Sequence, residues 1–405
     1  MNNEKPLVIV LSRNYSTGLG VIRSLGQAGF DVELIASTKK RGSSIIASSS
    51  KYVSHTIEVV SPKIQEDKGN EIVGHLLALA IRGGKPVLFP TDDFTMMIVD
   101  KYQDILKKYY YIPTVNDPEQ TITNLMDKRV QTAYAKKCGM RTPKEWIISL
   151  REEKLAISED IEFPCFVKPL QSVSGRKVEM RRVDDRKALE MHLKKMQQYF
   201  KDRDVLIQEF LTIDKEYDLS GVCFGNKIFI PSVIEKTHIS NHEKGVTMCG
   251  KMVSCEVLGD MMENIRKFLK LLGYNGMFDM EFTKCGDNIY FNEINLRSGG
   301  PNYFYCLNGV NLPAILVDEI LGTEHDPERE TVREYGKSFV YEKVAWEDYI
   351  YSFMTKDELE QCINDADYTL LVNDEDPKPG KHFKRRIRLS AIKQKLKMMV
   401  GRTNG

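Results

Sequence analysis

The sequence predicts an α/β protein that begins with a parallel sheet and continues as α+β. The first observation is the continuous apolar run Leu7–Leu11, which is followed by glycines, a helical segment and a second apolar strand at 32–36. Runs of this kind are buried in parallel sheets, and the order is that of a β-α-β unit. The second observation is a stretch, 273–300, whose segments 273–282 and 289–300 form two strands joined through the turn Cys285–Asn288. Such a pattern predicts an antiparallel hairpin.

The length and net charge of the chain limit the number of domains and the kind of partner that we expect. A chain of 405 residues is long enough for two or three domains. Its 58 Lys and Arg balance 57 Asp and Glu, so no excess charge indicates nucleic acid as the main partner.

The cysteines and the apolar segments indicate the compartment. Eight cysteines occur without a Cys-x-x-Cys pair, which predicts reduced thiols rather than disulfides or a zinc site. The run Leu7–Leu11 is too short for the core of a signal peptide, and no apolar stretch approaches the ~20 residues of a membrane span. We therefore expect a soluble cytoplasmic protein.

The glycine turn after the first strand is not typical of a dinucleotide site. Arg23 stands where a third glycine is expected, and Ala36 and Ser37 stand where an acid would hold a ribose. We expect a structural turn before a helix that starts at Val21, with Arg13 as a nearby substrate contact. After the strand 87–90, Asp93 is expected to cap the following helix rather than to bind a ligand.

Strand alternation places polar side chains on one face of the hairpin. Phe278, Met280 and Phe282 point to the opposite, apolar face. The polar face is predicted to carry Asp279, Glu281, Glu293, Asn295 and Arg297, with Phe291 beside them if the strand is regular. Crowded carboxylates and an amide oxygen suit Mg²⁺, and Arg297 would hold an anion beside it. A solvated face with ordinary salt bridges is an equal alternative from these residues alone.

A second cationic site is predicted at Lys168, which ends an apolar strand. A loop of small residues, 171–177, follows it and could present backbone N–H groups to phosphate, although it is not a P-loop. The alternative is that Lys168 is an ordinary surface charge at the end of a strand and binds no phosphate. The polar segment Lys236–Gly245, which contains His238, is expected to be a loop that closes over a substrate, or else to be merely structural.

The C-terminal end is strongly basic. From Lys381 onward there are nine Lys and Arg and no Asp or Glu, with an apolar spacing at Ile387, Leu389, Ile392, Leu396 and Met399. We expect turns at Pro377 and Pro379 and then a frayed tail. Contact with an acidic membrane surface or an anionic substrate is the alternative.

Taken in order, these signals resemble the ATP-grasp superfamily over about residues 1–325. The resemblance rests on Lys128, the run Phe166-Val167-Lys168-Pro169, the Gln-Glu-Phe-Leu segment 208–211 and the motif Phe291–Arg297. It implies an N-terminal Rossmann-like α/β domain (1–117), a two-part ATP-grasp domain (118–325) with a lid subdomain at about 144–212, and a small C-terminal extension (326–405). The loop departs from the usual glycine-rich run at Ser172, Val173 and Ser174.

The resemblance also implies roles for the nucleotide site. Lys128 and Lys168 would neutralise ATP phosphates, and the loop would close over them with Ser174 and Gly175. Glu209 would accept the adenine amino group, the backbone of Phe210 and Leu211 would contact the ring, and Glu216 would bind the ribose.

The remaining implied roles concern metal and chemistry. Glu281, Glu293 and Asn295 would hold Mg²⁺, with Mn²⁺ as an alternative and Asp279 as an accessory ligand. Arg297 and Lys168 would stabilise the transferring phosphoryl group. Arg13, Lys236 and His238 are the expected substrate contacts.

The activity implied is that of a carboxylate–amine ligase. The chain is similar to the carbamoyl-phosphate-synthase-like group, including D-aspartate ligases, and its partners would be small carboxylates and amines, with a homodimer as the default assembly. Two alternatives stay open: a bicarbonate-using carboxylase or carbamoyl-phosphate-type enzyme, and a non-catalytic ATP-binding regulatory protein.

Overall fold

The first sheet of the protein is parallel and has four strands. The computed structural model describes residues 7–13, 15–60, 69–169, 180–199, 203–323 and 327–402. The strands of this sheet pair in the order β3-β2-β1-β4 and are β1 (Leu7–Ser12), β2 (Asp31–Thr38), β3 (Val53–Val60) and β4 (Val87–Pro90). The helices of this region are α1 (Tyr15–Gln27), α2 (Ile45–Ser48), α3 (Gly69–Ala80), α4 (Asp93–Lys101) and α5 (Gln103–Leu106).

Both faces of this sheet are buried, as the apolar run predicts. Val8 and Val10 of β1 pack into one hydrophobic core, while Ile9 and Leu11 pack into a second. Burial on both faces is typical of parallel sheets.

The glycines after β1 have a different role from the predicted turn. Helix α1 begins at Tyr15, so Gly18 and Gly20 lie within it and the expected start at Val21 is wrong. A Cβ on Gly18 would lie 2.3 Å from the Ser12 Oγ, and one on Gly20 would lie 3.1 Å from the Tyr303 Cβ. The glycines are therefore needed for close packing of the helix against its neighbours.

The second sheet is antiparallel and lies within the range 144–212. Before it comes α6 (Lys128–Lys137), whose N-terminus is capped by the Asp127 side chain, which accepts from the Arg129 N–H at 2.9 Å. The sheet order is β5-β8-β6-β7, with α7 (Arg186–Tyr199) packed on it. Its strands are β5 (Glu145–Ser149), β6 (Cys165–Pro169), β7 (Arg181–Val183) and β8 (Asp204–Glu209).

The third sheet has eight strands and carries the predicted hairpin. Seven strands run in the order β14-β13-β9-β11-β12-β15-β16, and β10 pairs with β9. They are β9 (Lys215–Phe224), β10 (Lys227–Phe229), β11 (Val233–Ile239), β12 (Thr247–Val253), β13 (Gly276–Cys285), β14 (Asn288–Asn295), β15 (Ser338–Val340) and β16 (Tyr368–Thr369). Helices α8 (Met261–Leu272), α9 (Asn302–Leu307) and α10 (Leu312–Leu321) belong to the same part of the chain.

The C-terminal segment is integrated into this architecture. It contributes β15 and β16 to the third sheet, together with α11 (Glu342–Ile350), α12 (Lys356–Asp365) and α13 (Pro377–Arg402). The predicted boundary at 325/326 therefore falls between strands of one sheet. All eight cysteines are free thiols.

The basic end of the chain is a helix and not a frayed tail. Helix α13 begins at Pro377, so the expected turns at Pro377 and Pro379 are also wrong. Proline fits the first turn of a helix because its missing N–H would be unpaired there in any case. None of the helices in the described part of the chain has the length and apolar character that crossing a membrane requires.

Candidate functional site

The acidic hairpin is the centre of the site, and its register brings the polar residues face to face. Asp279 of β13 lies opposite Asn295 of β14, and Glu281 lies opposite Glu293. The two strands are joined through Gly286, whose φ of 57° is the left-handed conformation that a tight turn requires. The predicted hairpin and its apolar reverse face are confirmed, since Phe278, Met280 and Phe282 are fully buried in one core.

A β-bulge changes the face of one predicted residue. Glu281 pairs with Glu293, but the next residue, Phe282, pairs with Phe291, so Asn292 is an extra residue in β14. The bulge turns Phe291 into the core, where it is 1 % exposed, and the expectation that it shares the polar face is wrong. Asn292 lines the cleft and donates to the Thr283 Oγ1 at 2.6 Å.

Two lysines neutralise the carboxylates. The Lys236 Nζ lies 2.8 Å from the Glu281 Oε2 and 2.9 Å from the Asp218 Oδ1, and its side chain is 1 % exposed. Lys128 makes a close ion pair with Glu293. Asp279 accepts from the Ser220 Oγ at 2.7 Å. The acidic face is thus held together by two side-chain cations and a serine hydroxyl.

Burial and charge divide the carboxylates into two kinds. The ammonium group of Lys128 lowers the pKa of Glu293 to about 2. Burial, with Asp218 and Glu293 nearby, raises the pKa of Glu281 to about 7. Burial and the neighbouring Asp218 and Glu281 raise the pKa of Asp279 to about 8. Glu293 of β14 is therefore firmly ionised, whereas the pKa values of Asp279 and Glu281 on the facing strand β13 are raised. A further cation would stabilise the charged form of these two carboxylates.

Arg297 is fixed from two sides. Its Nε lies 2.5 Å from the Asp93 Oδ1, and its Nη2 donates to the Asn295 Oδ1 at 3.2 Å. Asp93 is the first residue of α4, and the cap of that helix is Asp92, whose side chain accepts from the Thr95 N–H. The prediction that Asp93 caps the helix is therefore wrong, because its carboxylate pairs with the guanidinium group.

Lys168 lies near Lys128 but has a different electrostatic setting. Burial, with the charge of Lys128, lowers the pKa of Lys168 to about 7. For Lys128 burial acts in the same direction, yet the attraction of Glu293 and Glu281 outweighs it and raises the pKa. An anion with several negative oxygens would stabilise both ammonium groups.

A cleft of about 890 Å³ brings the predicted residues together. The hairpin forms one wall, and the ends of β6 and β8 form another. The predicted site residues that line the cleft are Lys128, Lys168, Glu209, Phe210, Leu211, Glu216, Glu281, Glu293, Asn295 and Arg297. Ser174 and Gly175, predicted for the phosphate loop, lie outside the described residues.

The three predicted substrate contacts are not among the residues that line the cleft. The Arg13 guanidinium stacks over the Phe94 ring at 4.8 Å, and His238 is exposed at an irregularity of β11. Within the described chain, neither of them nor Lys236 lines the cleft. Substrate contact by Arg13 and His238 stays a prediction, and the ammonium group of Lys236 is held by the carboxylates of Glu281 and Asp218.

The predicted loop Lys236–Gly245 is partly wrong, because Lys236–Ile239 belong to strand β11; the part after the strand, from Ser240, is a turn held by hydrogen bonds. The buried Asp348 of α11 accepts from the Ser240 Oγ and from the N–H groups of Asn241 and His242 at 2.5–3.1 Å. The His242 ring also stacks on Tyr351, with centroids 3.8 Å apart. The expected closing movement of this segment would have to break these contacts.

Several cleft residues have no counterpart among the predictions. Asp218 could have been inferred, because it lies two residues after Glu216 and so shares its strand face. Tyr341, Lys343 and Leu370 of the C-terminal segment also line the cleft, and no local pattern indicates them. Lys343 is held by the Glu347 Oε2 at 2.8 Å and the Glu243 Oε2 at 3.3 Å.

The oxygen-bearing side chains of the hairpin could bind Mg²⁺ only together with a ligand that supplies further oxygen atoms. Within the described residues, no three His, Cys, Asp or Glu side chains form a metal-binding group. Glu281, Glu293 and Asn295 offer two carboxylates and an amide oxygen, which are hard donors. Mg²⁺ is commonly bound by one or two carboxylates together with substrate phosphates rather than by an all-protein cage. The residues present are compatible with that arrangement.

Comparison with known proteins agrees with this geometry. Residues 133–301 match the model of the ATP-grasp domain. They form an ATP-grasp domain. The range contains Lys168 and the whole acidic hairpin, and it confirms the prediction of this superfamily.

Curated relatives of the chain include large chains of carbamoyl phosphate synthase. One from Gemmatimonas aurantiaca is 25% identical over 214 residues, which are 52% of this chain and 19% of the relative. A C-terminal section of the enzyme from Aquifex aeolicus is 25% identical over 182 residues, 44% of this chain and 34% of the relative. The aligned part is thus a minor part of each relative.

Solved structures share the fold over most of the chain. An L-amino acid ligase from Bacillus licheniformis gives a TM-score of 0.60 at 15% identity, covering 83% of this chain and 79% of that one. N5-carboxyaminoimidazole synthetase from Staphylococcus aureus, complexed with ADP, gives 0.59 at 15% identity, covering 84% and 82%. A biotin carboxylase domain from Hydrogenobacter thermophilus, with MgADP, ADP and bicarbonate, gives 0.61 at 17% identity, covering 83% and 74%.

Proposed function

We propose that this ATP-grasp protein is an ATP- and Mg²⁺-dependent ligase that joins a substrate carboxylate to an amine and releases ADP and phosphate. The observation that carries the proposal is the shared cleft. Lys128 and Lys168, the acidic hairpin and Arg297 all line one space. The solved ADP and MgADP complexes of proteins with this fold support a nucleotide and magnesium in that space.

The nucleotide would lie along the ends of β6 and β8. Glu209, Phe210 and Leu211 form the end of the cleft suited to adenine, and Glu216 is placed for the ribose. The phosphates would then reach Lys128 and Lys168. Anionic oxygens favour the charged form of both lysines, so binding would offset the cost of burying them.

The hairpin would hold the metal through Glu281, Glu293 and Asn295. When bound, Mg²⁺ neutralises charge on the phosphate oxygens; Mn²⁺ accepts the same donors. Lys128 and Lys236 already balance the charge of the carboxylates, and Lys128 also lines the cleft where the phosphates would lie. Asp279 lies on the same face and accepts a hydrogen bond from Ser220.

Arg297 would stabilise the transferring phosphoryl group. A carboxylate oxygen of the substrate forms a bond to the γ-phosphorus while the bond to ADP breaks, giving an acyl phosphate. The amine nitrogen then bonds to the acyl carbon, phosphate leaves, and the amine loses a proton. The guanidinium, fixed by Asp93 and Asn295, offers preorganised charge for both steps.

The substrates would occupy the end of the cleft away from Glu209. This end would be formed by Thr17, Thr91, Pro301, Tyr341, Lys343 and Leu370, all of which line the cleft. The mixture of hydroxyls, one ammonium group and apolar surface suits a small polar molecule of the amino-acid or cell-wall-precursor type. The L-amino acid ligase of similar fold supports this class.

A bicarbonate-using reaction is the second candidate. The relatives are carbamoyl phosphate synthase chains, and one structure of similar fold contains bicarbonate. Bicarbonate can replace the carboxylate in the same phosphoryl transfer, because both present an anionic oxygen to the γ-phosphate.

The deciding experiment measures ADP release with pools of acids, amines and bicarbonate. We expect release only when a carboxylate and an amine are both present, together with an amide product in the mass spectrum. Release that requires bicarbonate would replace the first candidate with the second. Nucleotide binding without release under any pool would indicate a non-catalytic ATP-binding protein.

A further inference from the structure

Helix α13 has two apolar faces, and only one of them packs on the protein. Phe383 and Ile387 are buried, at 1 % and 6 % exposure, in the large core of the first and third sheets. Leu389 and Ile392 are 53 % and 56 % exposed. The spacing of apolar residues in the sequence predicts one stripe that contains Ile387, Leu389 and Ile392, but in the structure Ile387 is buried and the other two are exposed.

The two apolar pairs lie on opposite sides of the helix. At ~100° per residue, Phe383 and Ile387 are about 40° apart, Leu389 and Ile392 are about 60° apart, and the two pairs are separated by roughly half a turn. The sequence continues the outer spacing with Leu396 and Met399. The outer stripe therefore has the period of an amphipathic helix and no partner among the described residues.

Cations flank the outer stripe. Lys384 and Arg388 lie on one side of it by the helical period and Lys393 on the other, and all three are exposed. The chain from Pro377 to Gly405 holds ten Lys and Arg and no Asp or Glu. Because the formal charge of the whole protein is +1, the remaining residues carry −9, so the positive charge is concentrated on this one helix.

We propose that the outer face of α13, defined by Leu389, Ile392 and the flanking Lys and Arg, docks on an anionic phospholipid surface. An apolar stripe bordered by long basic side chains matches a bilayer interface, where acyl chains meet acidic headgroups. The acidic remainder of the protein is repelled by such a surface, so the docking orientation is defined by this helix.

The exposed apolar residues of α13 favour a membrane over a nucleic acid as the partner of this helix. A phosphate backbone would use the cations but has no contact for exposed leucine and isoleucine side chains. Removing the apolar residues should therefore weaken binding to vesicles while leaving binding to a polyanion unchanged.

The test is co-sedimentation of the full chain with vesicles of phosphatidylcholine alone or mixed with phosphatidylglycerol. We expect binding to the mixed vesicles that weakens with added salt, and little binding to the neutral ones. Lys384→Gln with Arg388→Gln should lower the affinity by about 30-fold, the effect of two cations near an acidic surface. Leu389→Gln with Ile392→Gln should lower it by about tenfold or more.

Matched controls come from exposed residues of the same types elsewhere. Lys194→Gln with Lys195→Gln, and Ile81→Gln with Met191→Gln, should leave vesicle affinity unchanged. The emission of a Leu389→Trp variant should shift to the blue on the mixed vesicles, which reports insertion. Circular dichroism and thermal unfolding verify that each variant is folded.

Three results would overturn the proposal. The first is absence of binding to the mixed vesicles at low salt. The second is equal binding to neutral vesicles. The third is vesicle affinity unaltered by the Leu389 and Ile392 substitutions while short duplex DNA binds at least as tightly, which would make the helix a site for polyanions.

Discussion

Arg297 and Asp93 are separated by 204 residues in the chain and form one ion pair across the cleft, with Nε and Oδ1 2.5 Å apart. Asp93 begins the helix that follows the parallel sheet, and Arg297 follows the acidic hairpin. The pair therefore fixes the position of the first sheet relative to the hairpin at the point where phosphoryl transfer is proposed.

Asp93→Asn should reduce turnover while leaving nucleotide binding nearly unchanged. The amide keeps the volume but not the charge, so the guanidinium group loses its anchor and shifts from the proposed reacting position. We expect kcat to fall by about 10- to 100-fold, as misplacement of a charged group typically gives. Steady-state kinetics and ADP titration measure the two effects. Normal kcat in this variant would show that Asp93 does not position Arg297 for catalysis.

Glu293→Gln should abolish turnover and preserve the fold. The substitution removes one proposed metal ligand's charge and leaves Lys128 without its ion-pair partner. We expect the free energy of unfolding to fall by about 1–3 kcal/mol, since a largely buried ammonium group loses its charged partner. Urea unfolding and ADP release test both parts. Glu235→Gln is the control, because Glu235 pairs with Lys215 and Lys251 away from the cleft; matching activity in the two variants would remove Glu293 from the site.

Strand alternation is sufficient to predict the acidic face, but it cannot predict its bulge. Asp279, Glu281, Glu293 and Asn295 follow the period of two and are placed as expected. The extra residue Asn292 reverses Phe291, because the packing of Phe291 against Phe268 and Phe282 outweighs regular pairing. The residue type of Asn292 alone does not indicate that a bulge occurs at this position.

Ion pairs between residues that are far apart in the chain likewise cannot be predicted from local sequence patterns. The cap at Asp127 is readable from local residue types, whereas the pairing of Asp93 with Arg297 depends on how two sheets meet. Tyr341 and Lys343 reach the cleft because β15 joins the third sheet, which no local spacing indicates. Sequence patterns therefore predict the faces of the elements, and tertiary contact determines which faces share a site.

Lys168 should take up a proton when a nucleotide binds above about pH 7. Its pKa is lowered to about 7 by burial and by Lys128, and phosphate oxygens would raise it again. Below this pKa the ammonium form is already present, so binding needs no proton; above it affinity falls as pH rises. Titration calorimetry of ADP in buffers of different ionisation heat, at about pH 6 and about pH 8, should show uptake only at the higher pH.

Two variants separate this effect from other groups. Lys168→Arg keeps a permanent positive charge, so it should bind ADP without proton uptake. Lys168→Met should lose both the uptake and about tenfold or more in affinity. Unchanged uptake in the arginine variant would assign the proton to a group other than Lys168.

The buried pair of Arg23 and Asp376 should couple the C-terminal segment to the stability of the first sheet. Both side chains are almost fully buried, and Arg23 also donates to the carbonyl oxygens of Leu370 and Leu371 at 3.0 Å. Asp376→Asn leaves the guanidinium without a counter-charge, so we expect a loss of about 3–5 kcal/mol in the free energy of unfolding. Asp374→Asn, on an exposed neighbour, should change it by less than about 0.5 kcal/mol.

A double-mutant cycle tests whether the two charges act together. Arg23→Met with Asp376→Leu removes both buried charges, so the double variant should be more stable than the sum of the single losses predicts. Urea unfolding of the four proteins gives the coupling free energy. Because Leu370 lines the cleft beside Tyr341, the single variants should also raise the KM of the carboxylate or amine more than that of ATP. Additive losses, or an Asp376→Asn variant as stable as Asp374→Asn, would show that this pair does not hold the C-terminal segment in place.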